Sequence, residues 1–176
     1  LKLKRLKKRR FNYLFAINPE TIGSISLIHK NLKFLKENLF SGIVLTCLGG
    51  PEKKLSYKLS RAGNSVFDKK FIQIAKNKKV KIREFSTSGS DERQYCSSEC
   101  NLPVGQLART VYGKNKEYHT SADDKKFVKL NMFEKTANEI FNFLKNNEKD
   151  IFLRRKQPYC EIQLGKRNLY PSTNSP

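Results

Sequence analysis

Apolar positions along this chain alternate between short continuous runs and stripes of helical spacing. Residues 1–10 read as the basic end of a helix. Phe11 to Ile17, FNYLFAI, is an apolar run whose length and aromatics predict a buried strand. Asn18-Pro19-Glu20 breaks it: Asn can cap a helix, Pro suits the first turn, and Glu favours the positive end of the dipole. Ile25, Ile28, Leu32, Leu35 and Leu39 follow at spacings of 3, 4, 3 and 4, one face of an amphipathic helix that Ser41-Gly42 ends. Ile43 to Leu48, IVLTCL, predicts a second buried strand, stopped by Gly49-Gly50-Pro51. Leu55 to Arg61 fits a short strand, and Phe67, Phe71, Ile74 and Ala75 predict a helix over about 64–76. Val80 to Phe85, VKIREF, alternates apolar and charged residues as an edge-like strand does. Ser86 to Ser90 is a Ser/Thr/Gly loop, Val104 to Thr110 is another strand, and Phe133, Ala137, Ile140 and Leu144 mark a last helix.

This order of strands and helices predicts an α/β layer fold, a parallel or mixed sheet flanked by helices. Ligands in such folds gather at the carboxyl ends of strands. Three polar loops fall at such places: Asn18 to Ser24, Ser86 to Tyr95, and Tyr112 to Asp124. After Asp150 the pattern fades, so the domain is placed at 1–150 and an extended arm at 151–176, with Pro158, Gly165 and Pro171. There is no internal repeat.

A length of 176 residues fits one domain or a large piece of a bigger one, and 12 Phe with 7 Tyr supply a core and exclude wholesale disorder. The chain opens at Leu1 and closes on YPSTNSP, so a segment of a longer protein is expected. No run of 18 apolar residues predicts a spanning helix, and LKLKRLKKRR lacks the apolar stretch of a secretory signal. The expected location is cytoplasmic. Lys+Arg of 36 against Asp+Glu of 16 gives a net charge of +20. That charge invites a nucleic-acid partner. Its distribution argues otherwise: seven of the first ten residues are basic, and the rest is Lys scattered between apolar positions, as on solvated helix faces. No stacking-aromatic signature or recognition-helix motif accompanies it. Of Cys47, Cys96, Cys100 and Cys160 only the middle two are closely spaced, which suits free cytosolic thiols better than a zinc knuckle.

The three loops hold the candidate chemistry. The first gives Glu20, the second Asp91, Glu92, Arg93 and Tyr95, the third Tyr118, His119, Asp123 and Asp124. One His with several carboxylates matches an oxygen/nitrogen metal site, which zinc accepts. Each residue also has a plainer reading. Glu20 answers a helix dipole, Asp91 is a turn or cap residue, and His119 is a hydrogen-bonded loop histidine. His29 lies on the polar side of the helix stripe and is assigned nothing.

PETIGS at 19–24 resembles the E-x-x-G-S-type segment of zinc aminopeptidases of the co-catalytic clan. GSDERQYC at 89–96, LPVGQLARTVYG at 102–113, EYHTSADD at 117–124 and QLGKRNLYP at 163–171 resemble a bacterial aminopeptidase-like family found with polysaccharide-biosynthesis genes. The resemblance implies a three-layer zinc-exopeptidase-like fold, with only the later half of the domain present. It implies His119 as a metal ligand, Glu20 as general base or ligand, and Asp91 as support for the site. Pro19 stands where many clan members carry a second Glu, and Thr46-Cys47 where a metal-binding Asp often lies, so one zinc is expected rather than two. Earlier ligands would come from sequence before this segment.

The implied reaction is amide or peptide hydrolysis by metal-activated water on a peptide or aminoacyl-type small substrate. Arg93 would pair with a substrate carboxylate or hold Asp91, and Tyr95 or Tyr118 would donate to a developing oxyanion. As given, the segment is expected to bind zinc weakly and to lack peptidase activity. One alternative is a non-catalytic binding or assembly module in surface-polysaccharide biosynthesis; a second is charge-driven nucleic-acid binding. An oligomer is left open.

Overall fold

The computed structural model describes residues 2–149 together with Tyr159, Gly165, Asn168 and Leu169. After a single 3-10 turn at Leu3–Arg5, the elements run α1 (Ile22–Asn38), β1 (Gly42–Thr46), β2 (Leu55–Lys58), α2 (Val66–Lys76), β3 (Val80–Arg83), α3 (Glu92–Tyr95), β4 (Val104–Ala108) and α4 (Leu130–Glu148). The sheet order is β1-β4-β2-β3. β1 lies parallel to β4 with Leu45 beside Leu107, and β2 lies parallel to β3. β2 runs antiparallel to β4 with Lys58 beside Gln106. The sheet is therefore mixed, with β1 and β3 at its edges.

Strand alternation sorts side chains onto two faces. Ile43, Leu55, Tyr57, Val80 and Leu107 form one face, covered by Phe67 and Phe71 of α2 and by Ile140, Phe143 and Leu144 of α4. Phe71 stacks on Tyr57 at 4.0 Å and on Phe143 at 4.3 Å. Each such buried side chain stabilises the fold by roughly 1.5–3 kcal/mol. On the other face Val44 and Val104 pack under Ile28 and Leu35 of α1. There the central strands carry Ser56, Lys58 and Gln106 instead, and all three are buried. Helices on both faces of a sheet give the expected three layers.

α2 starts where it does because of a capping box: Ser65 Oγ accepts from Asp68 N–H at 3.0 Å, and Asp68 Oδ2 accepts from Ser65 N–H at 2.9 Å. Asp68 is fully buried, and the Tyr57 hydroxyl and Ser60 N–H also donate to it. Those donors replace the water it gave up.

Four expectations change. The run Phe11 to Ile17 forms no strand: Leu14, Phe15 and Ile17 are 69%, 72% and 99% exposed. It is held by side chains instead, with Phe11 on Phe40 at 4.9 Å and the Tyr13 hydroxyl donating to Glu148 Oε1 at 2.6 Å. Aromatic content favours a strand only where a neighbouring strand offers its backbone. Residues 2–10 form one 3-10 turn rather than a helix end, because closely spaced like charges oppose helix growth. α3, four residues long, had no apolar stripe to announce it. Finally, β3 runs opposite to β1 and β4, so the loops after them leave from opposite ends of the sheet. The expected arm at 151–176 lies outside the described residues except at Tyr159, Gly165, Asn168 and Leu169.

Candidate functional site

Glu20 stops short of α1. Its carbonyl accepts the Ile22 N–H at 2.8 Å, closing a γ-turn on Thr21, whose φ is 63° and ψ −71°. That hand of γ-turn is the rare and strained one, and a β-branched residue at positive φ is an outlier. Such strain, of order 1–3 kcal/mol, persists only where surroundings impose it. Asp91 imposes it here: its Oδ1 accepts the Thr21 N–H at 2.7 Å. One residue earlier, Ser90 Oγ donates to Glu20 Oε1 at 2.7 Å. Two consecutive residues of the second loop thus hold two consecutive residues of the first, and the exposed Glu20 carboxylate is aimed by them.

The second loop is itself anchored on the polar face of the sheet. Lys58 Nζ donates to Ser88 O at 2.5 Å and to Glu92 Oε1 at 2.8 Å. Glu92 Oε2 accepts from Gln106 Nε2 at 2.8 Å and from Ser90 N–H at 3.1 Å. Arg83 closes the network, donating to Gln106 Oε1 at 2.6 Å and to Ser56 Oγ at 2.9 Å. Lys58 and Glu92 are both fully buried. A buried ion pair is tolerated only when its remaining donors and acceptors are satisfied, as they are here. Gly89 is part of this packing, since a Cβ there would lie 2.0 Å from Glu92 Oε1 and 2.8 Å from Lys58 Nζ. So a loop leaving the far end of β3 is brought over the sheet face to Glu20.

The third loop joins through its tyrosines. Tyr112 Oη donates to Ser88 O at 3.3 Å, and its ring lies 6.1 Å from that of Tyr118. The Tyr118 N–H donates to Asn115 Oδ1 at 2.8 Å, and the His119 ring stacks on Tyr118 at 3.9 Å. Burial raises the Tyr118 pKa, and the nearby Cys47 and Glu20 raise it further. Tyr95 is raised by burial and then by Asp91. Both phenols therefore remain protonated donors at neutral pH. His119 is exposed with φ 58°, and Cys47 has φ 47°. Thr21, Cys47 and His119 thus put a left-handed backbone residue in the first loop, after β1 and in the third loop.

Of the residues expected from sequence, Glu20 and Asp91 meet through Ser90 and Thr21, and Tyr118 lies within electrostatic reach of Glu20. Arg93 is exposed on α3, where its backbone N–H donates to Ser90 O at 3.3 Å; the Asp91 carboxylate is held by Thr21 instead. His29 is exposed on α1. Among the described residues no three His, Cys, Asp or Glu side chains are grouped to hold a metal ion. A catalytic zinc needs about three protein ligands, so His119, Glu20 and Asp91 do not make a zinc centre by themselves. Sequence reasoning missed Lys58, Gln106 and the support role of Glu92. A Lys in a short polar strand reads as solvated, and only pairing in the sheet shows it to be buried.

A family model described as a domain of unknown function (DUF4910) matches residues 1–150. A Clostridium acetobutylicum protein named "Putative polysaccharide biosynthesis protein with aminopeptidase-like domain" is 38% identical over 168 residues, covering 93% of this chain. A crystal structure described as that of a "putative peptidase" from Clostridium acetobutylicum matches with a TM-score of 0.78 at 34% identity, over 94% of this chain. The chain spans 37% of the first relative's length and 39% of the second's.

Proposed function

The chain belongs to the family described as a domain of unknown function, DUF4910, and on that premise we propose that it forms part of a peptidase-like hydrolase in which Glu20 handles the proton. Water attacks an amide or peptide carbonyl, its oxygen bonds to the carbonyl carbon, and Glu20 takes its proton. As the C–N bond breaks, Glu20 passes that proton to the leaving amine. The observation that carries this reading is the double hold of Ser90 on Glu20 and Asp91 on Thr21, which fixes an exposed carboxylate on a strained turn. A carboxylate kept in one orientation loses little freedom on reaching the transition state. Tyr118 and Tyr95, protonated phenols, are the candidate donors to the developing oxyanion. Arg93, exposed beside Ser90, is the candidate for a substrate carboxylate.

Zinc enters only as an expectation of the resemblance. His119 would supply one ligand to a single ion, and about two more would come from outside the described residues. The 176-residue chain is therefore expected to bind zinc weakly; sub-micromolar binding by calorimetric titration at neutral pH contradicts that. The aminopeptidase-like and peptidase names of the relatives support a peptide or aminoacyl-type substrate. The test is cleavage of aminoacyl anilides by the full-length Clostridium acetobutylicum relative, with and without added zinc. Cleavage that depends on zinc fits the proposal. Absence of cleavage under both conditions favours a non-catalytic module in polysaccharide biosynthesis.

A further inference from the structure

β1 lies at an edge of the sheet without the marks of an edge, with β4 as its one neighbour among the described residues. Edge strands of natural proteins carry Lys, Pro or a bulge that keeps other chains from pairing with them. The opposite edge, β3, follows that rule: VKIR holds Lys81, which is exposed, and Arg83. β1, GIVLT, has no charge and no proline. It reads as a near-continuous apolar run, the pattern of a strand enclosed on both faces. Yet none of its residues is buried, whereas every residue of β2 and β4 is. The Gly42 N–H donates to Pro103 O at 2.9 Å, so the alternate residues Ile43 and Leu45 turn their backbone groups to the open side.

A second apolar surface starts beside it. Phe11 stacks on Phe40, two residues before β1, and from there Leu14, Phe15 and Ile17 stand exposed. No Pro, Gly or charge in FNYLFAI opposes a strand. Ile22 and Ile25 extend the exposed apolar series into α1. Apolar surface gathered in this way marks an interaction site. The relatives point to the occupant. This chain spans 37% of one and 39% of the other, so the greater part of each lies outside the match. A strand of the same polypeptide is tethered near the seam, at an effective concentration that a second copy or a free partner lacks.

We propose that β1 is an inner strand of a wider sheet. A strand from the part of the full-length protein outside this chain pairs with the open backbone of Ile43 and Leu45, by strand addition. The same association buries Phe11 to Ile17 and draws that run into strand form, since it then gains the backbone partner it lacks here. The seam does not depend on the hydrolase reading.

The experiment compares amide hydrogen exchange in two molecules. One is the 176-residue chain alone; the other is the full-length Clostridium acetobutylicum relative carrying this chain in place of its matching segment. Alone, the amides of Ile43, Leu45 and residues 12–17 are expected to exchange near their intrinsic rates. In the full-length chimera their protection should rise at least about 100-fold. Arg83 O accepts the Leu59 N–H, so the Ile82 amide faces the outer side of β3 and should not change. Ile17→Lys, at a fully exposed position, should leave the urea midpoint of the chain alone unchanged and lower that of the chimera. Leu45→Lys gives β1 the kind of charge that guards β3 and should reduce protection of Ile43 in the chimera about tenfold. Ile43 and Leu45 amides that stay unprotected in the folded chimera overturn the seam. So does protection in the chain alone that grows with its concentration, which assigns the edge to a second copy. Should the chimera not fold, the chain is mixed with the remaining polypeptide of the relative: protection of the same amides supports the seam, and its absence overturns it. Anilide cleavage is no part of the readout, so the hydrolase reading stands or falls separately.

Discussion

Thr21 occupies backbone that glycine adopts freely and a β-branched residue does not. Thr21→Gly should therefore raise stability or leave it unchanged, with a gain up to about 1 kcal/mol in urea unfolding. A loss above that size would show that the threonine side chain, not Asp91, holds the turn. Asp91→Ala removes the acceptor for the Thr21 N–H and should cost about 1–3 kcal/mol in the same measurement. Glu20, Asp91, Tyr118 and His119 were visible as polar residues in loops between apolar elements. The γ-turn was not, because a threonine at positive φ is the opposite of what local preference favours. Only a contact 70 residues away accounts for it.

Among elements, the legible ones had an apolar period to show. α1, α2 and α4 carry stripes of helical spacing, β1 lies in the apolar run that Gly49-Gly50-Pro51 ends, and β3 in the alternating run that stops at Ser86. The run Phe11 to Ile17 had the right composition and no backbone partner, which composition cannot reveal. Lys58 within β2 and Glu92 at the start of α3 belong to a level that periodicity does not reach. Lys58→Met should cost about 3–5 kcal/mol by leaving the Glu92 charge buried and unpaired. Lys58→Met with Glu92→Gln should cost less than the sum of the two single changes. Strict additivity in that double-mutant cycle would contradict the buried pair.

The contact of residues 10–13 with α4 should loosen in acid. Burial pushes the Glu148 pKa up, but hydrogen bonds from Tyr13 and from the backbone N–H groups of Arg10 and Phe11 bring it below its ordinary value of 4.5. A carboxylate lowered in the folded state stabilises fully above its unfolded pKa, and that contribution is lost as pH falls through the lower folded value. The protection of the Arg10 amide, relative to the intrinsic exchange rate at each pH, should thus fall below pH of about 4.5, a transition absent from Glu148→Gln. An unchanged pH profile in that variant would rule the contact out.

For the whole molecule, α/β layering with a parallel or mixed sheet was legible because strands and helices alternate, whereas which strands run antiparallel was not. Antiparallel pairing of β2 with β4 depends on tertiary packing that no single segment encodes. The net charge of +20 is large, yet seven of the first ten residues carry much of it and the rest is Lys scattered along the chain rather than gathered in one motif. Binding to duplex DNA or single-stranded RNA at about 50 mM salt should therefore be absent, as checked by fluorescence anisotropy. A log K that falls steeply with log salt would restore the nucleic-acid reading.

The most direct measurement is kcat for leucyl anilide cleavage by the full-length Clostridium acetobutylicum relative carrying this chain in place of its matching segment, before and after Glu20→Gln. If Glu20 is the proton acceptor, kcat falls about 10²–10⁴-fold with metal content and KM little altered. An unchanged kcat in that variant, with the anilide still cleaved, would take Glu20 out of the reaction.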